Sequence, residues 1–200
     1  MNGIKTLFLV LLFVSQSSMA QQSAIYLNQN PEYHKAIQLY KEKQYLSAQL
    51  LFEKLKTIEN SEELASDCAY YSAICALHLK QNGGDELVMK FVQNYPTSPK
   101  MNQAYVEVAH YYFEEGNYQK AIVWFDKVDS SSMTYERKDA YHFQKGYAFF
   151  ATKNNKEAAK YFNMILNSNT FGNQAKYYLG YIAYVLDDYK SANNYFEQVG

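Results

Sequence analysis

The chain has 200 residues, with 19 Lys and Arg against 20 Asp and Glu and a formal net charge of −1. Arg137 is its single arginine, and no basic cluster stands out. Phosphate and base-edge recognition leans on arginine and on positive surface, so nucleic-acid binding is excluded as the expected job. Hydrophobic residues make up 48% and charged residues 20%, the balance of a folded and not a disordered chain.

The first twenty residues read as a secretory signal. Lys5 precedes the apolar run Leu7 to Val14, and Ser18 and Ala20 form a small-x-small cleavage site ahead of Gln21. The run is far short of the ~20 residues that span a bilayer, so stable membrane insertion is not expected after cleavage. No Cys follows the run, so lipidation is not indicated. The mature chain is expected in an exported, periplasmic compartment.

A polar lead covers residues 21–29. Asn30 with Pro31 then opens a helix as N-cap and first-turn proline, predicted to run to about Glu42 with Ala36 and Leu39 inward. A second helix follows from Tyr45 to about Ile58, carrying Ala48, Leu51, Phe52 and Leu55 at helical spacing. Ser61, with Glu62 and Glu63 in the first turn, caps the next. Asn82-Gly83-Gly84 ends it. Cys68 and Cys75 lie on this helix two turns apart, ~10.5 Å along the axis. That is beyond the ~7 Å a disulfide allows, so both are expected as buried free thiols. In the segment from Glu86 to Asn94, Leu87 is assigned the place of a small residue and Phe91 the place of the phenylalanine that follows it. Tyr95-Pro96-Thr97-Ser98-Pro99 breaks the chain. Beyond it come Tyr105, Val108, Ala109 and Tyr112; then Tyr118, Ala121, Phe125 and Val128; then His142, Gly146 and Phe149; then Ala158, Phe162 and Ile165; then Leu179, Gly180 and Ala183; and last Tyr189, Ala192, Phe196 and Val199.

One pattern recurs. Ala48, Ala121, Ala158 and Ala192 each follow a short polar turn and precede a phenylalanine by four residues: Phe52, Phe125, Phe162 and Phe196. Ala121, Ala158 and Ala192 stand 37 and 34 residues apart. Ala36, Ala109, Gly146 and Gly180 occupy one place in the preceding helices, where paired helices must approach to ~8–10 Å. Pro96, Pro99 and Gly116 interrupt any heptad, which argues against a coiled coil.

The period and the small-residue/Phe pairs resemble the tetratricopeptide repeat (TPR), a helix-turn-helix unit of ~34 residues. The resemblance implies an all-α, right-handed α-solenoid of about five repeats over 30–200: 30–60, 61–99 (degenerate), 100–133, 134–171 and 172–200 (incomplete). The stretch Phe91 to Pro99 is similar to the Tyr-Pro-x-Ser-Pro junction of periplasmic TPR families, among them the outer-membrane assembly lipoprotein and the Tol-Pal-associated coordinator. That likeness implies a protein or peptide partner in the cell envelope.

In a TPR array the first helix of each pair lines the concave face, at residues three before and one and four after the small position. Here these are Tyr33, Ile37 and Tyr40; Val106, His110 and Phe113; Phe143, Tyr147 and Phe150; and Tyr177, Tyr181 and Tyr184. The resemblance implies an aromatic partner-binding groove. Such rings give large contact area at little entropic cost. Their alternative is packing on the neighbouring repeat. A rival function is glycan binding by Tyr and Phe platforms.

The sequence offers little for catalysis or cofactors. Gly83-Gly84 is not followed by Lys-Ser/Thr. His110 and Glu114 could supply two metal ligands, short of the three or four that zinc takes. Asp126/Asp129 and Glu114/Glu115 read as solvated charge. The expectation is a non-enzymatic scaffold without cofactor or metal. Tyr195, Phe196 and Val199 leave an apolar edge, so either further repeats or self-association through this end is expected.

Mass spectrometry of the exported protein is expected to find Gln21, free or cyclised, as the N-terminus. An intact Lys5–Ala20 segment in a membrane fraction would instead establish a retained anchor.

Overall fold

The computed structural model describes residues 30–58 and 61–199. The segments expected as a signal sequence (1–20) and a polar lead (21–29) lie outside the described residues. Among the described residues there are ten α-helices and no strand: α1 Pro31–Lys41, α2 Tyr45–Ile58, α3 Glu62–His78, α4 Gly84–Asn94, α5 Met101–Glu114, α6 Tyr118–Phe125, α7 Tyr135–Ala151, α8 Asn155–Asn163, α9 Gly172–Val185 and α10 Tyr189–Glu197. A single 3-10 turn, Ser130–Ser132, precedes α7. The chain divides into two compact units, one up to Met101 and one from Asn102 on.

The helices form because their ends are chemically marked. Asn30 accepts a hydrogen bond from Tyr33 N at 3.0 Å, with Pro31 in the first turn. Ser61 does the same for Leu64 N. Asn117, Asn154 and Asp188 cap α6, α8 and α10 from one equivalent position. Each satisfies an amide that the helix itself leaves without a partner.

The other end of every first helix is also alike. Lys43, Lys80, Gly116, Lys153 and Asp187 all carry positive φ, between 52° and 72°. Each stands two residues past the end of α1, α3, α5, α7 or α9. At each, two amides turn back on the helix, as in Asn154 N to Phe149 O at 2.9 Å and Lys153 N to Phe150 O at 2.9 Å. This is the Schellman stop. Only Gly116 enters the left-handed region without steric cost; the other four residues carry a Cβ there.

Between the helices of a pair, small residues admit rings. A Cβ built on Gly146 would stand 3.0 Å from Cε1 of Phe162 and 3.2 Å from Tyr161 Cβ. On Gly180 it would stand 2.7 Å from Cε1 of Phe196. Ala36, Ala48, Ala109, Ala121 and Ala158 are wholly buried, as are Phe52, Phe125 and Phe162. Burying one such phenylalanine stabilises by about 1.5–3 kcal/mol. In the first unit Phe52 lies in a core with Tyr33, Leu55, Leu64 and Cys68 and stacks on Tyr71 at 5.1 Å. In the second, Phe162 packs with Ile165, Leu179 and Ile182.

The second pair, α3–α4, corrects one expectation. Its turn has five residues (79–83), where the other four have three (42–44, 115–117, 152–154, 186–188). The longer turn rotates α4, which turns Gly84, Val88 and Phe91 inward and leaves Leu87 37% exposed. Leu87 therefore does not take the small packing position. Gly84 makes the close approach instead: a Cβ built on it would stand 3.3 Å from the Ala76–Leu77 backbone.

Polar contacts fix the pairs laterally. Lys145, 5% exposed, reaches Asp126 at 2.8 Å, the Tyr141 hydroxyl at 3.0 Å and the Phe125 carbonyl at 3.4 Å. Its ammonium also lies over the Tyr161 ring at 4.9 Å. Burial opposes its charge, but the Asp126 carboxylate and the tyrosine hydroxyls outweigh it and hold its pKa above the ordinary lysine value. Asp129 caps the 3-10 turn through Ser131 N, so Asp126 and Asp129 have separate structural tasks. Cys68 and Cys75 are buried free thiols, and burial pushes both up to about 12.

Gly146→Leu is expected to cost on the order of 1–3 kcal/mol or more, because Phe162 is enclosed and cannot yield. Gly180→Ala is expected to cost less, because Phe196 is 39% exposed and can swing aside. Lys153→Gly is expected to stabilise by about 1 kcal/mol, or ~2–4 °C in Tm, by relieving the left-handed strain. Thermal melts of the three variants check all of this.

Candidate interaction surface

The residues expected to line a groove fall into two environments. In the first unit Tyr33 is buried, and its hydroxyl donates a short hydrogen bond to Asp67. Asp67 also faces Lys100 at 3.8 Å. Burial raises the Asp67 pKa, against the opposing pull of Tyr33 and Lys100. Tyr40 packs edge-on against Tyr71 at 5.0 Å and Tyr45 at 5.8 Å, with His78 stacked flat on Tyr45 at 4.3 Å. Tyr33 therefore serves the core of the first two pairs, and Tyr40 is half-buried among their rings.

In the second unit the same positions build a continuous aromatic seam. Phe113 meets Tyr118 and Tyr147 at 5.6 and 5.7 Å. Tyr147 continues to Phe143, Phe150 and Tyr178. Phe143 stacks on Phe171 at 4.8 Å, and Phe150 meets Tyr178 at 5.0 Å and Tyr181 at 5.5 Å. All of these side chains but Tyr181 are half-buried. Aromatic pairs in this range add about 0.5–1.5 kcal/mol beyond area burial, so the seam contributes to the packing of α7 on α9. His110 lies beside it, with Nδ1 at 3.0 Å from the Gln144 amide and Nε2 at 3.1 Å from Glu114. No group of three or more potential metal ligands occurs among the described residues.

The surface opens at α9. Tyr177, Tyr181 and Tyr184 are 49%, 44% and 57% exposed. They are the counterparts, 34 residues on, of Phe143, Tyr147 and Phe150, and they follow the same i, i+4, i+7 stripe. Tyr189 and Phe196 of α10 extend the patch, touching Tyr184 and Tyr177 at 5.6 and 6.0 Å. Beside Tyr177 a cavity of about 690 Å³ is lined by Ser168, Asn169, Thr170, Asn173, Gln174, Tyr177, Tyr178 and Val199.

Two residues of the seam escape sequence reasoning. Tyr178 contacts five other rings, stacking on Phe162 at 5.2 Å, and burial raises its hydroxyl pKa. It stands two residues before Gly180, where the other units carry His34, Glu107 and Gln144. No recurrence marks that position. Phe171 precedes α9, in a stretch without helical period.

No family model matches the chain, and no curated protein matches it in sequence. Solved structures do resemble it. MamA of strain AMB-1 superposes with a TM-score of 0.66 at 16% identity, covering 84% of this chain and 87% of that one. MamA from Desulfovibrio magneticus RS-1 gives 0.64 at 12% identity, over 84% and 90%. A kinesin-light-chain-type protein of Podosopora anserina with nearly identical TPR-like repeats gives 0.59 at 15% identity, over 87% and 92%.

Tyr147→Ala is expected to lower stability by about 2–4 kcal/mol, as loss of a packed ring does. Tyr184→Ala, at an exposed site, is expected to change it by less than about 1 kcal/mol. Urea unfolding of both variants distinguishes packing rings from surface rings. The repeated caps, the paired helices and the structural likenesses together establish the fold as that of TPR-like repeat proteins.

Proposed function

We propose that this chain is a non-enzymatic scaffold of the cell envelope that holds a protein or peptide partner on the tyrosine face of α9 and α10. TPR-like arrays typically serve as binding scaffolds, since stacked helix pairs present extended surfaces. The observation that carries the reading is the exposed stripe Tyr177, Tyr181 and Tyr184, three large rings with polar tips on one rigid helix. Tyrosine is among the residues enriched as energetic anchors of protein interfaces. Their chemistry is contact area and hydroxyl hydrogen bonding, which suits capture and not turnover. The seam behind them fixes the helix in place, so little ordering is required on binding. The exported location rests on the secretory character of residues 1–20.

A photo-crosslinker placed at Tyr184 is expected to trap a discrete protein in the producing cells, and Tyr181→Ala to reduce that yield by about tenfold or more. Absence of any protein adduct would overturn the reading.

The glycan alternative draws support from one feature. The 690 Å³ cavity sets amides of Asn169, Asn173 and Gln174 beside the Tyr177 and Tyr178 rings, the pairing of ring and neutral polar group that a sugar requires. Binding on a glycan array that Asn173→Ala abolishes would favour it over a protein partner.

A further inference from the structure

We propose that the exposed α9 face pairs with the same face of a second copy of this chain, antiparallel, about a two-fold axis beside Tyr181. The proposal rests on reading this face as a protein-binding surface, and it names the protein.

Size is the first argument. Tyr177, Tyr181, Tyr184, Val185, Tyr189 and Phe196 are each 39% to 59% exposed. Tyr177, Tyr181 and Tyr184 share one face of α9 by their i, i+4, i+7 spacing, and ring contacts at Tyr177–Phe196 and Tyr184–Tyr189 add α10 to it at both ends. An aromatic side chain offers ~150–250 Å², so the patch leaves on the order of 600 Å² of apolar surface. That is at the upper limit of what monomers carry and near the ~800 Å² each partner contributes to a stable interface.

The chain already contains one such contact. One repeat earlier, the corresponding stripe Phe143, Tyr147 and Phe150 is covered by Phe171, Tyr178 and Tyr181, at centroid separations of 4.8 to 6.2 Å. Aromatic helix faces of this sequence thus pack ring on ring. A second copy brings the same kind of face.

Charge selects the orientation. Lys176 lies in the first turns of α9, and Asp187 stands just past its end. Tyr181 is near the midpoint between them. Antiparallel pairing about that point sets Lys176 of each copy near Asp187 of the other and opposes the helix dipoles. Parallel pairing would put like charges together. The outcome is a closed, isologous pair.

Sedimentation velocity of the purified chain over a concentration series tests this. A monomer–dimer equilibrium is expected. Tyr181→Glu is expected to raise its Kd by about tenfold or more, as loss of a central aromatic anchor does. Tyr184→Glu, at a more exposed site, serves if the first variant alters the fold by circular dichroism. Lys176→Glu is expected to weaken the dimer, and Lys176→Glu with Asp187→Lys to restore it. Lysine already occupies the same left-handed position at Lys43, Lys80 and Lys153, so that exchange keeps the turn. A monomer at every concentration overturns the proposal, and so does association that both glutamate variants leave unchanged. A monomeric chain that still crosslinks another protein through Tyr184 would overturn only the identity of the partner and leave the binding face standing.

Discussion

A phenylalanine ring set over a missing side chain is the contact on which the second unit depends. Phe162 lies where Gly146 would carry its Cβ, at 3.0 Å, and Phe196 repeats the arrangement over Gly180. The contact does two things at once. It lets the helices of a pair approach closely, and it fills the space between one pair and the next. Protein interiors are packed as densely as organic crystals, so the ring and the gap cannot be chosen separately.

The same logic explains why the aromatic residues divide in two. A first-helix ring is drawn into the seam wherever a following helix supplies rings to meet it. Tyr178 does so for Phe143, Tyr147 and Phe150. On α9 the equivalent positions meet no such cover among the described residues, and Tyr177, Tyr181 and Tyr184 remain exposed. Structural and interactive rings therefore differ in neighbours, not in residue type.

Stability and surface are also linked through the turns. Four of the five Schellman stops hold a residue other than glycine at positive φ. Each carries local strain that the packing of the pair must overcome. Three of the four are lysines, whose charge suits the negative end of a helix.

Much of the fold was legible in residue order alone. Cap residues such as Asn30 and Ser61, the glycine stop at Gly116 and the small-residue/Phe spacing are local signals, because helix ends and pair contacts recur at fixed offsets along the chain. The all-helical class and the repeat period follow from them. What the sequence could not decide was burial. Leu87 looked like a packing residue, but a turn two residues longer than its counterparts rotated α4 and put Gly84 and Val88 inside. Tyr33 and Tyr177 occupy the same place in their repeats, yet one is buried and donates to the half-buried Asp67 while the other faces solvent. Which of two equivalent rings is covered depends on residues one repeat away, such as Tyr178, whose position shows no recurrence. Periodicity encodes the shape of a unit; only the stacking of units decides which of its faces remain open.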